Sequence, residues 1–252
     1  MTTAAPAARP APTLLAVAHG TRDPEGVAVT EALLARVRAR SPGLRVELCF
    51  LDLVAPSLPE ALARLDGEVV VVPLLLGAGY HLRVDIPAAL AAAPRLRARV
   101  APALGPDSLL ADVLADRLAE AGWRAGDGPL VLAAAGSTDP AANADTAAMA
   151  ALLRDRLPAV REVVPAYLCA AGPTPAEAVA ALRAAGHARV SVAAYLLSPG
   201  WFARRAADSD AHLTSAPLGT HDALVELVVH RYRQALAEQG PSGHPAPHRA
   251  AG

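Results

Sequence analysis

Residues 14–24 read LLAVAHGTRDP and residues 130–140 read LVLAAAGSTDP. Each is a short apolar run that ends in a glycine, a hydroxyl residue and an Asp-Pro exit. The offset of 116 puts Ala135 where His19 stood (135 − 19). At 252 residues the chain fits one large unit or two ordinary ones,. The repeat decides for two, over 13–124 and 128–239, joined near Trp123 to Pro129. Residues 1–12 and 240–252, rich in Ala, Pro, Gly and Ser, read as disordered tails.

Both copies show the same alternation of apolar strand and amphipathic helix. In the first, strands are expected at 13–18, 44–53, 68–76 and 97–103, with helices at 25–40, 56–65, from about 85–87, and 108–121. The second repeats the order with strands at 130–134, 161–169 and 189–197 and helices at 141–156, 175–185 and 223–238. Strands this apolar, such as EVVVVPLLL at 68–76, are covered on both faces,. The alternation predicts right-handed crossovers and parallel sheets, so the fold class is α/β with two tandem pseudo-symmetric domains and four-stranded sheets.

Ligands of open parallel sheets sit beyond the carboxyl ends of the strands. His19 ends the first strand, Asp52 lies near the end of the second, and His81 follows the third. All three point into one crevice. In the second copy these positions hold Ala135, Cys169 and Phe202, so the scaffold is kept while the polar set is lost. One histidine at a strand end is ordinarily structural. Two at equivalent ends, beside a carboxylate, suit a loosely held divalent first-row metal with open positions. A neutral imidazole also accepts protons, and a nearby carboxylate orients it.

Other chemistries are excluded. All basic residues are Arg, and without Lys there is no P-loop,. Gly77-x-Gly79 lacks the third glycine of a dinucleotide fingerprint, and no G-x-S-x-G elbow occurs. A formal net charge of −1 argues against nucleic acid,. Cys49 and Cys169 form no C-x-x-C and read as buried free thiols, so nothing suggests an oxidising compartment. No signal peptide and no bilayer-length apolar run is present, so a cytoplasmic protein without membrane contact is expected. His187, His212, His221 and His230 read as surface positions, and His244 and His248 fall in the tail.

AHGTRDP at 18–24, FLDLVAP at 50–56 and the V-P-L-L-L-x-x-G-Y-H-x-x-x-D-I-P run at 72–87 together resemble the class II tetrapyrrole chelatases, which comprise sirohydrochlorin chelatases and the cobalt chelatases of cobalamin synthesis. The resemblance spans both halves. It implies two flavodoxin-like domains around a cleft for a planar macrocycle, and metal insertion without ATP, a redox step or a resident cofactor. It places the metal-handling pair on His19 and His81 and the acidic partner on Asp52, a position often Glu in the family. Asp85, four residues after His81, is a supporting candidate, and the residues leave open which acid is the partner. Arg22 and Arg83 are expected to meet the acidic side chains of the substrate, and the mute second copy to supply a wall, so that a monomer suffices. The leading expectation is Fe²⁺ insertion into sirohydrochlorin on the way to sirohaem. Co²⁺ insertion is the close alternative, and a non-catalytic tetrapyrrole or metal carrier is the alternative of another class.

Overall fold

The computed structural model describes residues 11–238. The tail 240–252 with His244 and His248, and all but the last two residues of the 1–12 tail, lie outside the described residues. The first half runs β1 (Thr13–Ala18), α1 (Pro24–Arg40), β2 (Val46–Phe50), α2 (Leu58–Ala63), β3 (Glu68–Leu74), α3 (Ile86–Ala91), β4 (Arg97–Val100) and α4 (Ser108–Glu120). The second runs β5 (Leu130–Ala134), α5 (Pro140–Arg156), β6 (Val163–Tyr167), α6 (Pro175–Ala184), β7 (Ser191–Tyr195), α7 (Trp201–Ala207), β8 (Leu213–Thr214) and α8 (Asp222–Ala237).

Local chemistry sets these boundaries. Asp23 and Asp139 are N-caps whose carboxylates accept from the amides of Glu25 and Ala141, with Pro next in each helix,. This is why both copies exit through Asp-Pro. Ser57 and Thr174 close capping boxes with Glu60 and Glu177,.

The sheets are parallel, ordered β2-β1-β3-β4 and β6-β5-β7-β8. Alternate residues of β1 serve different layers. Leu14, Ala16 and Ala18 join a central core, whereas Leu15 and Val17 pack towards α2 and α3. The central core holds side chains from both halves, because the closing helices are exchanged. Helix α8 packs on β3, β4 and α1 of the first half, and α4 packs on β7 and α5 of the second. Each half thus covers a face of its partner's sheet. Among the described residues no helix is long and apolar enough to cross a membrane.

Three local expectations are corrected. β1 and β5 match their expected bounds, but the other expected strands are shorter than their apolar runs, since residues such as Leu51 and Leu75 continue into the turns at the strand ends. A helix, α7, and a two-residue edge strand, β8, occupy a stretch that the pattern left unassigned. Cys49 is buried, and burial pushes its thiol up to about 12. Cys169 is exposed, because it lies beyond the end of β6 at the rim.

Candidate metal-insertion site

The rim begins at Gly20, whose φ of +101° is glycine territory,. A Cβ there would lie 1.9 Å from the Asp52 carbonyl oxygen. The close approach lets the Asp52 amide donate to the His19 carbonyl at 3.0 Å, tying the β1 exit to the β2 exit. The second half repeats the device. Gly136 has φ +90°, and the Cys169 amide donates to the Ala135 carbonyl at 2.9 Å. The glycine is kept because the backbone needs it, whatever side chain precedes it.

His81 opens a wide helical turn, His81–Asp85, that leads into α3. The expected helix start near residue 85 is therefore one turn late, for Pro87 marks the start of the regular helix rather than of the helical path. On this turn His81 Nδ1 lies 2.6 Å from Asp85 Oδ2. A carboxylate accepts and does not donate, so Nδ1 carries the proton, and in the neutral ring the lone pair lies on Nε2,.

The structure brings His19 and His81 together, with ring centroids 4.8 Å apart and planes at 88°. An ion ~2.1 Å from one nitrogen of each ring would span such a separation at a ligand angle of roughly 100°. Burial pushes the His19 pKa below 6.5, and the His81 charge lowers it further; hydrogen bonding and the Asp52 charge oppose this more weakly,. His19 is therefore biased towards the neutral form that binds metal.

The acids have different tasks. Asp52 is exposed, and its Oδ1 accepts from the Leu53 amide at 2.8 Å in a turn where Leu53 has φ +66°. It acts on His19 through space. Asp85 grips His81 directly. Among the described residues no group of three His, Cys, Asp or Glu side chains is placed to hold a metal ion.

Arg22 is exposed on the same turn as His19. Arg83 donates from Nε and an Nη to the Ala78 carbonyl at 3.0 and 2.8 Å, and sits 3.0 Å from Asp139 of the other half. Sequence reasoning did not anticipate this engagement, because nothing along the chain links residues 83 and 139.

A family model described as CbiX matches residues 13–121 and 129–235. The chain belongs to the CbiX family. The match covers both halves, as the motif resemblance implied. Among similar proteins, a sirohydrochlorin ferrochelatase of Priestia megaterium is 27% identical over 244 residues, spanning 90% of this chain and 91% of its own. A sirohydrochlorin cobaltochelatase of Methanococcoides burtonii is 28% identical over 123 residues, 42% of this chain and 94% of its own. The solved structure of SirB from Bacillus subtilis with Fe³⁺ superimposes with a TM-score of 0.76 at 26% identity, covering 89% of this chain and 95% of that one.

Proposed function

We propose that this CbiX protein inserts a divalent metal, Fe²⁺ in the first reading, into sirohydrochlorin. The observation that carries the reading is the orthogonal His19–His81 pair, 4.8 Å apart at the rim of a parallel sheet. The similarity to a ferrochelatase of nearly the same span supports iron. The cobaltochelatase that matches one half's length supports cobalt as the second reading. Imidazole serves both ions, with affinity rising modestly from Fe to Co.

In this reading the ion is a substrate. His19 and His81 hold it with exchangeable waters, and Asp85 keeps the His81 ring aimed and its Nε2 free,. Two inner N–H protons leave the macrocycle as the ion enters. As the ion passes to the ring nitrogens, the His19 lone pair that held it is released and takes one of these protons. Asp52 favours the resulting cation, and the second proton passes to solvent water,. Arg22 meets a carboxylate of the macrocycle, and the second half bounds the cleft.

The test is the absorbance change of metal-free sirohydrochlorin under anaerobic conditions, without nucleotide, for Fe²⁺ and Co²⁺ in turn. The wild type accelerates insertion, and His19→Ala and His81→Ala fall to the spontaneous rate. Binding of macrocycle without acceleration by the wild type would make the protein a carrier. Variants as fast as the wild type would remove the imidazoles from the reaction.

A further inference from the structure

The paired registers of the two sheets fix which residues of the halves correspond. Leu14 faces Val70 across β1 and β3, and its counterpart Leu130 faces Ser191 across β5 and β7, an offset of 121 (191 − 70) on the third strand. Tyr80 therefore corresponds to Trp201, His81 to Phe202, Val84 to Arg205 and Asp85 to Ala206. The metal-handling histidine has become an aromatic ring, and the aliphatic residue one turn on has become a cation.

These residues belong to the same rim as His19. A Cβ on Gly200 would meet Thr21 Oγ1 at 3.5 Å and Asp23 Cβ at 3.8 Å, so the start of α7 lies against the loop that carries His19. Across the junction, the Ala78 amide, beside Tyr80, donates to Asp145 of α5 at 2.8 Å. The exits of β1 and β7 thus adjoin, as do the turn after β3 and the start of α5. Tyr80 and Trp201 are the exposed aromatics of this shared rim, at 62% and 54%.

Trp201 is not a stray surface residue. Its ring meets Phe202 edge-on at 5.0 Å, and Phe202, like Ala135, packs on the outer core of the second half. The Arg205 guanidinium lies 4.9 Å from the indole centroid. Its neighbour Arg204 is engaged with Asp23, 2.6 Å away, but among the described residues Arg205 forms no ion pair. A guanidinium held over an indole keeps outward N–H groups in a fork that suits a carboxylate. In a chain of net charge −1, such a placed cation beside a flat apolar surface selects for a flat anion.

We propose that Trp201 and Arg205 form a contact platform for a planar polycarboxylate macrocycle, with the indole against its face or edge and the guanidinium on one of its peripheral carboxylates. The second half then contributes recognition, having exchanged imidazole and acid for aromatic and cation. This rests on the reading that the cleft receives a tetrapyrrole, and it assigns that recognition to named residues of the mute copy.

The test combines kinetics with intrinsic fluorescence. The two tryptophans are Trp201 and the core residue Trp123, so quenching of the exposed indole is separable by Trp201→Phe. Titration of wild type with metal-free sirohydrochlorin is expected to quench emission, and Trp201→Phe to lose most of that signal. Arg205→Ala is expected to raise the macrocycle KM by roughly tenfold, with kcat and the metal KM within about twofold and partial rescue in Arg205→Lys. Esterified macrocycle is expected to bind both proteins equally weakly. Wild-type turnover with unchanged macrocycle KM in Arg205→Ala and Trp201→Ala would overturn the platform and leave the chelatase reading standing. Quenching without turnover would retain the platform and overturn the chelatase reading. Neither quenching nor turnover would overturn both.

Discussion

The Arg83 guanidinium of the first half lies 3.0 Å from the Asp139 carboxylate of the second. The relationship has a symmetry mate, since Arg204 lies 2.6 Å from Asp23. The offsets are those of the strand registers, 121 between the arginines and 116 between the aspartates (204 − 83 and 139 − 23). Both aspartates are helix caps, so each pair ties the rim of one half to a helix start of the other. Partly exposed pairs of this kind contribute little to global stability, within about 1 kcal/mol for Arg83 with Asp139. Their consequence is the spacing of the two rims.

That geometry separates two roles for Arg83. As a strut between the Ala78 carbonyl and Asp139 it touches no substrate, so Arg83→Ala and Asp139→Asn should each shift the macrocycle KM by only about threefold or less,. Asn keeps the helix cap, so the comparison is clean. Steady-state insertion kinetics on the two variants decide the matter. A much larger loss in Arg83→Ala alone would mean that the guanidinium leaves Asp139 to grip the substrate.

Asp85 and Asp52 should fail in different ways. Asp85→Ala removes the acceptor that fixes the His81 tautomer, and insertion should slow by about 10–100-fold with an unchanged macrocycle KM,. Asp52→Asn keeps an acceptor for the Leu53 amide and loses only a through-space charge. Its rate should fall less, and its acid limb should move to lower pH, because the lost negative charge had raised the His19 pKa. Full pH–rate profiles of both variants test this.

His19 also makes a pH prediction for the unliganded protein. Its folded pKa lies below the unfolded value of 6.5, so as the pH falls through that range the folded state binds fewer protons than the unfolded state,. The sign is destabilising. The effect is absent well above pH 6.5 and grows as the pH drops through it. His19→Ala should lose less Tm than the wild type between about pH 7.5 and 5.5, measured by thermal denaturation without metal. A larger loss in the variant would reverse the assigned direction.

Much of this molecule is legible along the chain, because its repeat carries strand, turn and cap chemistry together. The apolar run into Gly20 and Asp23 predicts a strand, a tight turn and a capped helix, and Gly136 and Asp139 repeat the prediction. Position at strand ends was enough to bring His19 and His81 to one rim. Alternation, however, does not say which sheet a helix covers, and the exchange of α4 and α8 has no sequence signature. The same holds for Arg83 with Asp139, a pairing made only by docking the halves. The π-type turn hid the start of the helical path before Pro87. It also turned an i,i+4 spacing into the 2.6 Å contact of His81 with Asp85. Helix α7 carries no such signal, because its short WFARRAA run lacks a side-chain cap.

The exchanged core is held by a buried contact that can be tested on both sides. Tyr195 of β7 is fully buried, and its hydroxyl donates to the Leu76 carbonyl of the first half at 3.0 Å. Burial pushes the phenol pKa up, so the hydroxyl stays a donor throughout the working range. Tyr195→Phe leaves that carbonyl without its partner and should cost about 1–2 kcal/mol. Gly105 is the other side of the contact, since a Cβ there would lie 1.9 Å from Tyr195 Oη and 2.7 Å from the Leu76 oxygen. Gly105→Ala should therefore destabilise by about 1–3 kcal/mol through overpacking. Combined with Tyr195→Phe, it should cost less than the sum, because the phenol oxygen it strikes is gone. The clash with the Leu76 carbonyl remains, so relief should be partial. Denaturant unfolding of the four proteins gives the coupling energy directly. Strict additivity would show that the two substitutions act on separate parts of the core.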